Sequence, residues 1–218
     1  MVWWNRPDPP VRHVVPRPPS REELHDALAA RHREALDRLH DEDAGAALLL
    51  LRPLVTECHR VLGQDHPDTL VAEGTLAVAT AEAGWLEDAL RMVRACVTTR
   101  QRVLGPDHAL TLASREALAV TLRLCGHERR AVDVAALVVS DRRRVLGAEH
   151  PDTLASRLTL GLSHAAADDP AAAVAVLEDL VLDTERLTGT HSHFTITTRA
   201  VLAGCHDALG HTDAALSG

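Results

Sequence analysis

An eleven-residue phrase recurs along the chain at a fixed step, and it constrains the fold more than any other feature. RVLGQDHPDTL occupies residues 60–70, RVLGPDHALTL 102–112 and RVLGAEHPDTL 144–154, with a weaker copy, RLTGTHSHFTI, at 186–196. Arg60, Arg102, Arg144 and Arg186 are each 42 residues apart, and Gly63, Gly105, Gly147 and Gly189 keep the same step. So do Thr69, Thr111, Thr153 and Thr195, and Ala89, Ala131, Ala173 and Ala215. A period of this length marks stacked copies of one supersecondary unit, each burying its apolar face on the next.

The unit reads as two helices. The first is expected from about 68 to 83 and the second from about 86 to 104, with Ala89, Val93 and Cys96 spaced for one face. Gly84, Gly126 and Gly210 suit the break between them, and Asp168 takes that place in the third copy. Later helices are expected near 110–125, 128–146, 152–167, 170–188 and 194–209, and a divergent pair at 21–39 and 44–62. The chain accordingly divides into a Pro-rich arm (1–19), the divergent pair (20–62), three repeats (63–188) and a terminal half-repeat (189–218). The period breaks off just after Ala215. A lone first helix is expected as the end cap, unless the sequence is a piece of a longer chain. His206, Asp207, His211 and Asp213 would give that cap a polar outer face.

The pairs Leu76-Ala77, Leu118-Ala119, Leu160-Gly161 and Leu202-Ala203, followed by Gly84, Ala89 and Val93 in the first full unit, resemble the tetratricopeptide repeat. The eight residues beyond the usual length of about 34 lengthen the second helix and the connector. This longer unit is similar to the kinesin-light-chain type of repeat, common in bacterial regulatory proteins. The resemblance covers about residues 21 to 216. It implies an all-α, right-handed solenoid of antiparallel helix pairs, with the first helices lining a concave face.

Composition narrows the function classes. Aromatic residues are 2% of the chain and lysine is absent, which removes Schiff-base and phosphate-loop lysines. A net charge of −8 argues against a nucleic-acid partner. The longest basic run, Arg142-Arg143-Arg144, is expected on a solvated helix face. No apolar run is long enough to span a membrane and the N-terminus lacks a signal-peptide core, so a cytoplasmic location is expected. Cys58, Cys96, Cys125 and Cys205 have no metal-binding spacing and are expected as reduced thiols. No cofactor, metal site or enzymatic motif is expected.

Histidines 66, 108 and 150 stand once per phrase. Neighbouring helices lie about 8–10 Å apart, too far for successive copies to share one ion, so the phrase reads as a joint. Pro67 and Pro151 suit a first helical turn, and Asp68 and Asp152 complement the positive helix end. His191 and His193, near His206, Asp207 and His211, are the one opportunistic metal candidate. An arginine ladder, Arg31, Arg115, Arg157 and Arg199, with Glu73 in the second unit, reads either as carboxylate grips or as pairing with neighbouring acids.

The resemblance places Val71, Thr75, Val78, Glu116, Val120, Leu158, Leu162 and Val201 on the concave face, flanked by Arg115, Arg157 and Arg199. Leu158, Leu162, Val120 and Val78 are the expected contact residues. Repeats of this type commonly carry asparagines just before the Leu-Ala pair. This chain has Gly74-Thr75, Glu116-Ala117, Leu158-Thr159 and Ala200-Val201 there, and its only asparagine is Asn5. The groove is therefore expected to take a protein or peptide through an apolar or amphipathic segment. Self-association is the alternative, through the groove or through the Trp3-Trp4 arm. A small-ligand sensor or enzyme on the same scaffold would need converging polar groups, for which Glu116 and His164 are the groove's main offering.

Overall fold

A computed structural model describes residues 21–216. The elements are α1 (Arg21–His40), α2 (Ala44–Val61), α3 (Pro67–Glu82), α4 (Leu86–Leu104), α5 (Ala109–Leu124), α6 (Glu128–Leu146), α7 (Pro151–Ala166), α8 (Pro170–Thr188) and α9 (His193–Leu216). Apart from α9, which runs past its expected end, each helix ends within one residue of the bounds expected from the period. The Trp3-Trp4 arm lies outside the described residues.

Each helix packs on the next. The first helices of successive pairs also touch: α1 on α3, α3 on α5, α5 on α7 and α7 on α9. The second helices have no such contacts among themselves within the described residues. A layer whose members meet is shorter than one whose members are held apart, so the array curves with the first helices inside. The core runs along the seam between the layers and includes Leu51, Leu54, Leu70, Leu112, Leu177 and Leu180.

The phrase is the joint from second helix to next first helix, and nearly every recurring letter has a contact. Gly105, Gly147 and Gly189 adopt φ 90, 93 and 86° with ψ 166, 163 and 161°, a region essentially closed to residues with a Cβ. The break within a pair is less demanding. Gly84 and Gly126 have φ of 82 and 75°, but Glu42 and Asp168 stand at the same repeat position with φ 59°, ordinary left-handed backbone. That difference explains why the connector glycine recurs in every copy and the other does not.

Around the connector, Thr111, Thr153 and Thr195 donate their hydroxyls to the carbonyls of Gly105, Gly147 and Gly189 at 2.8, 2.8 and 2.9 Å. His66, His108 and His150 are helix N-caps: each Nδ1 accepts from the backbone N–H two residues on, at 3.2, 3.2 and 3.1 Å. Ser192 takes over the cap in the last copy, accepting from the Thr195 N–H. The phrase arginines reach back to the previous joint, Arg102 to Asp65, Arg144 to Asp107 and Arg186 to Glu149. These pairs are exposed, so they align neighbouring joints more than they stabilise them.

Packing varies in a compensated way within this frame. The position of Ala77 and Ala119 is Gly161 in the third repeat, and the facing position of Val93 and Ala135 is Leu177. A Cβ on Gly161 would stand 2.6 Å from the Leu177 Cδ2, so the glycine gives up volume that the leucine takes.

Two stability outcomes follow. His150→Ala removes the cap acceptor and should lower the melting temperature by about 2–4 °C, the effect of about 1 kcal/mol in a chain of this size. His150→Asn should recover most of it, because asparagine still accepts. Gly161→Ala should lower the urea midpoint because overpacking, typically about 1–3 kcal/mol, outweighs the helix-propensity gain of about 1 kcal/mol. Adding Leu177→Val recreates the Ala77–Val93 pairing, and the double variant should be more stable than either single one.

Candidate functional site

The concave face carries a trough between α3 and α5, floored by α4. Small residues make it: Ala77, Ala113 and Ala117 keep the walls low, and Val93 lies beneath them. Two adjoining cavities, of about 270 and about 360 Å³, share those four residues and Val78. Val78 is 41% exposed, and Leu36 at one end and Leu124 at the other are likewise open. The trough is thus a continuous apolar surface left uncovered by the fold. Glu82 and Glu116 border its far cavity, and burial pushes the Glu82 carboxyl up from its ordinary value.

The expected site residues divide among several places. Val71, Thr75 and Val78 line the first cavity, and Val78, Glu116 and Val120 the second. Leu158 and Val201 instead pack against the C-terminal core cluster with Leu177 and Leu180. Leu162 is half-buried on the same helix as Leu158. Replacing Leu158 by Asp would therefore strike the fold as well as the concave face, and Val78 is the cleaner probe.

The arginine ladder is tied up in ion pairs. Arg31, Arg115 and Arg157 each donate to the acid 26 residues on, respectively Glu57, Asp141 and Asp183. Arg199 bonds Glu185, 14 residues back. In the second unit the charges reverse and Glu73 meets His59 at 2.9 Å. The ladder's recurrence thus follows from pairing between helices of one layer and the next.

Arg142 departs from the solvated helix face expected for the Arg142–Arg144 run: it is 6% exposed. Its Nη1 donates to the Ser156 hydroxyl at 2.7 Å, the Asp152 carbonyl at 2.9 Å and Glu116 at 3.3 Å. Ser156 in turn donates to Glu116 at 2.6 Å. Three adjacent residues on a helix point about 100° apart, so one can be buried while its neighbours are wet.

Arg100, one repeat earlier and 5% exposed, is not singled out by the period. It donates to Ser114 at 2.6 Å, to the Leu110 carbonyl at 3.1 Å and to the Leu70 carbonyl. Its column reads Cys58, Arg100, Arg142, Thr184, which looks unconstrained. The contact column fourteen residues on reads Ala72, Ser114, Ser156, Thr198, and a hydroxyl accompanies each arginine. Read together, the two columns carry the signal.

The four cysteines are free, three of them buried, and burial pushes the Cys96 thiol up to about 11. Among the described residues no three His, Cys, Asp or Glu side chains gather as for a metal ion. His191 bonds Thr190, and His206 lies 3.5 Å from Glu178. No helix among the described residues is long and apolar enough to cross a membrane.

Comparison with known proteins agrees with this architecture. The tetratricopeptide-repeat family model matches residues 74–110 and 111–152. A Podosopora anserina chain of nearly identical TPR-like repeats, of the kinesin light chain kind, superposes with a TM-score of 0.74 at 25% identity, covering 88% of this chain and 90% of that one. A second crystal structure, of a variant of that chain, gives the same values. BtubC (BKLC) from P. vanneervenii shares the fold, with a TM-score of 0.62 at 14% identity over 88% of this chain and 85% of that one. No match is found among curated proteins. Repeats of this class typically act as scaffolds for protein interaction. The 42-residue joint, the curved two-layer array and these likenesses identify residues 74–152 as tetratricopeptide repeats, in a helical array similar to that of kinesin-light-chain-like repeat proteins.

Proposed function

We propose that the chain is a non-catalytic scaffold that takes an apolar or amphipathic segment of a protein partner into the trough between α3 and α5. The supporting observation is the continuity of that trough: Leu36, Val78 and Leu124 are large apolar side chains left open along one concave line, over two adjoining cavities. Soluble surfaces seldom leave such a line uncovered without using it. The arginines expected to orient the partner are engaged with their own acids, so burial supplies the affinity. Glu82 at one end and Arg100 beneath the other give the line a polarity that an occupant would read.

Screening amphipathic peptides against the full chain by fluorescence anisotropy tests this. Ligands selected in the screen should compete for one site. Val78→Asp should weaken them at least about tenfold, since burying a Val side chain is worth about 1.5 kcal/mol or more, while helical circular dichroism stays unchanged. Leu137→Asp, on the open outer surface at 65% exposure, should leave affinity as it is. Equal affinity for wild type and Val78→Asp would refute the trough as the binding surface.

A further inference from the structure

The two buried arginines differ in one respect. Arg142 has a carboxylate, Glu116, within 3.3 Å. Every acceptor that Arg100 meets among the described residues is neutral: two carbonyls and the Ser114 hydroxyl. The residue one repeat before Glu116 is Gly74. The Nε of Arg100, like that of Arg142, is buried and has no partner, so the difference lies in the anion alone. No carboxylate contacts the charge directly. Cys96 keeps its proton at neutral pH, since burial raises its thiol to about 11, and Glu73, whose field reaches Arg100, makes its own contact with His59 at 2.9 Å. Desolvation pushes the Arg100 guanidinium below its ordinary value and outweighs the opposing pull of Glu73, the direction expected of a cation buried without a contacting anion.

Gly74 also determines where that cation surfaces. A Cβ there would stand 2.2 Å from the Arg100 Nη2. The guanidinium therefore occupies the space that a side chain at 74 would take, and it forms part of the wall of the 270 Å³ cavity. The rest of that wall is largely aliphatic, and its hydroxyls are engaged: Thr75 donates to the Val71 carbonyl and Ser114 to the Leu110 carbonyl.

We propose that this cavity binds a small apolar monocarboxylate, its carboxylate on the Arg100 guanidinium and its hydrocarbon body along Val78, Ala113 and Ala117. One buried cation in an apolar wall matches one negative charge. A phosphate or dicarboxylate would bring oxygens that nothing there satisfies. The volume lies just under the usual range for small-molecule pockets, about 300–1,000 Å³, and Leu36 and Leu39 of α1 close its near end. The bound acid supplies in the second repeat the anion that Glu116 supplies in the third. This site is independent of the protein-partner reading, although both occupy the same trough.

Titration of octanoate into the full chain by isothermal calorimetry tests the site. The expected result is saturable binding of one octanoate per chain, with octan-1-ol at least about tenfold weaker, the loss of one charge-assisted hydrogen bond. Arg100→Met should lose octanoate by about tenfold or more while helical circular dichroism is retained. Gly74→Glu, whose side chain must displace the guanidinium and would pair with it as Glu116 pairs with Arg142, should block octanoate with the arginine still present and helical circular dichroism retained, and it decides the matter should Arg100→Met fail to fold. Equal affinity for octanoate and octanol, unchanged affinity in Gly74→Glu, or no saturable binding up to about 1 mM would overturn the proposal. So would binding shown only by an apolar peptide with a free C-terminus and lost on its amidation. Failure here leaves the Val78→Asp peptide readout unaffected, so the two ideas stand or fall separately.

Discussion

The backbone of the connector glycine is the constraint on which the rest of the molecule depends. At φ near 93° and ψ near 163° the chain leaves one helix and enters the next at an angle that other residues cannot reach cheaply. A turn of that kind is useful only if it is held. The threonine hydroxyl captures the glycine carbonyl from the first turn of the next helix, and the histidine imidazole caps that same helix. Glycine, histidine and threonine within one short joint therefore fix one inter-helix geometry, and 42-residue repetition turns that geometry into a curve. Because each unit meets mainly its neighbours, a fault at one joint misaligns two repeats and leaves the others as they were.

With the joint fixed, the layers between joints are free to vary, provided that facing positions vary together. Gly161 yields to Leu177 where other repeats pair Ala77 with Val93 or Ala119 with Ala135. Arg100 and Arg142 bring Ser114 and Ser156 with them. The Glu73–His59 contact reverses the sense of the Arg199–Glu185 one at the same spacing. The chain thus contains its own comparisons: each repeat is a neighbour of nearly identical backbone with a different solution to the same packing problem.

This explains what can be read from the sequence and what cannot. Helix limits, the order of pairs and the purpose of the phrase follow from period and turn chemistry, which are local and strictly repeated. The histidine's role needs the structure, since Pro67 and Asp68 already account for a helix start and imidazole is an uncommon cap. Leu158 lies deeper than expected for a related reason: the first-helix register gives its concave side but not the depth at which α8 and α9 close over it. Arg142 escapes the sequence because a run of three arginines looks like one charged patch, whereas a helix sends each along a different direction. Arg100 leaves no trace in its own column, since only its relation to Ser114 and Gly74 gives it meaning.

The same reasoning locates function in the unrepeated positions. A residue that recurs in every copy serves something present in every copy, which in a solenoid is the joint. Gly74 serves nothing of that sort. Its counterparts are Glu116, Leu158 and Ala200, and in each of the next two repeats the larger side chain meets a need of the scaffold: Glu116 neutralises Arg142, and Leu158 packs on the C-terminal core. At 74 the side chain is withdrawn, and it is withdrawn above a buried cation whose acceptors among the described residues are all neutral. The glycine lets the guanidinium reach the Leu70 carbonyl, yet a buried cation with only neutral acceptors is among the costlier arrangements a protein interior can hold. The space at 74 is filled by the guanidinium itself, and an anion from outside the chain would meet that cation from the cavity it borders.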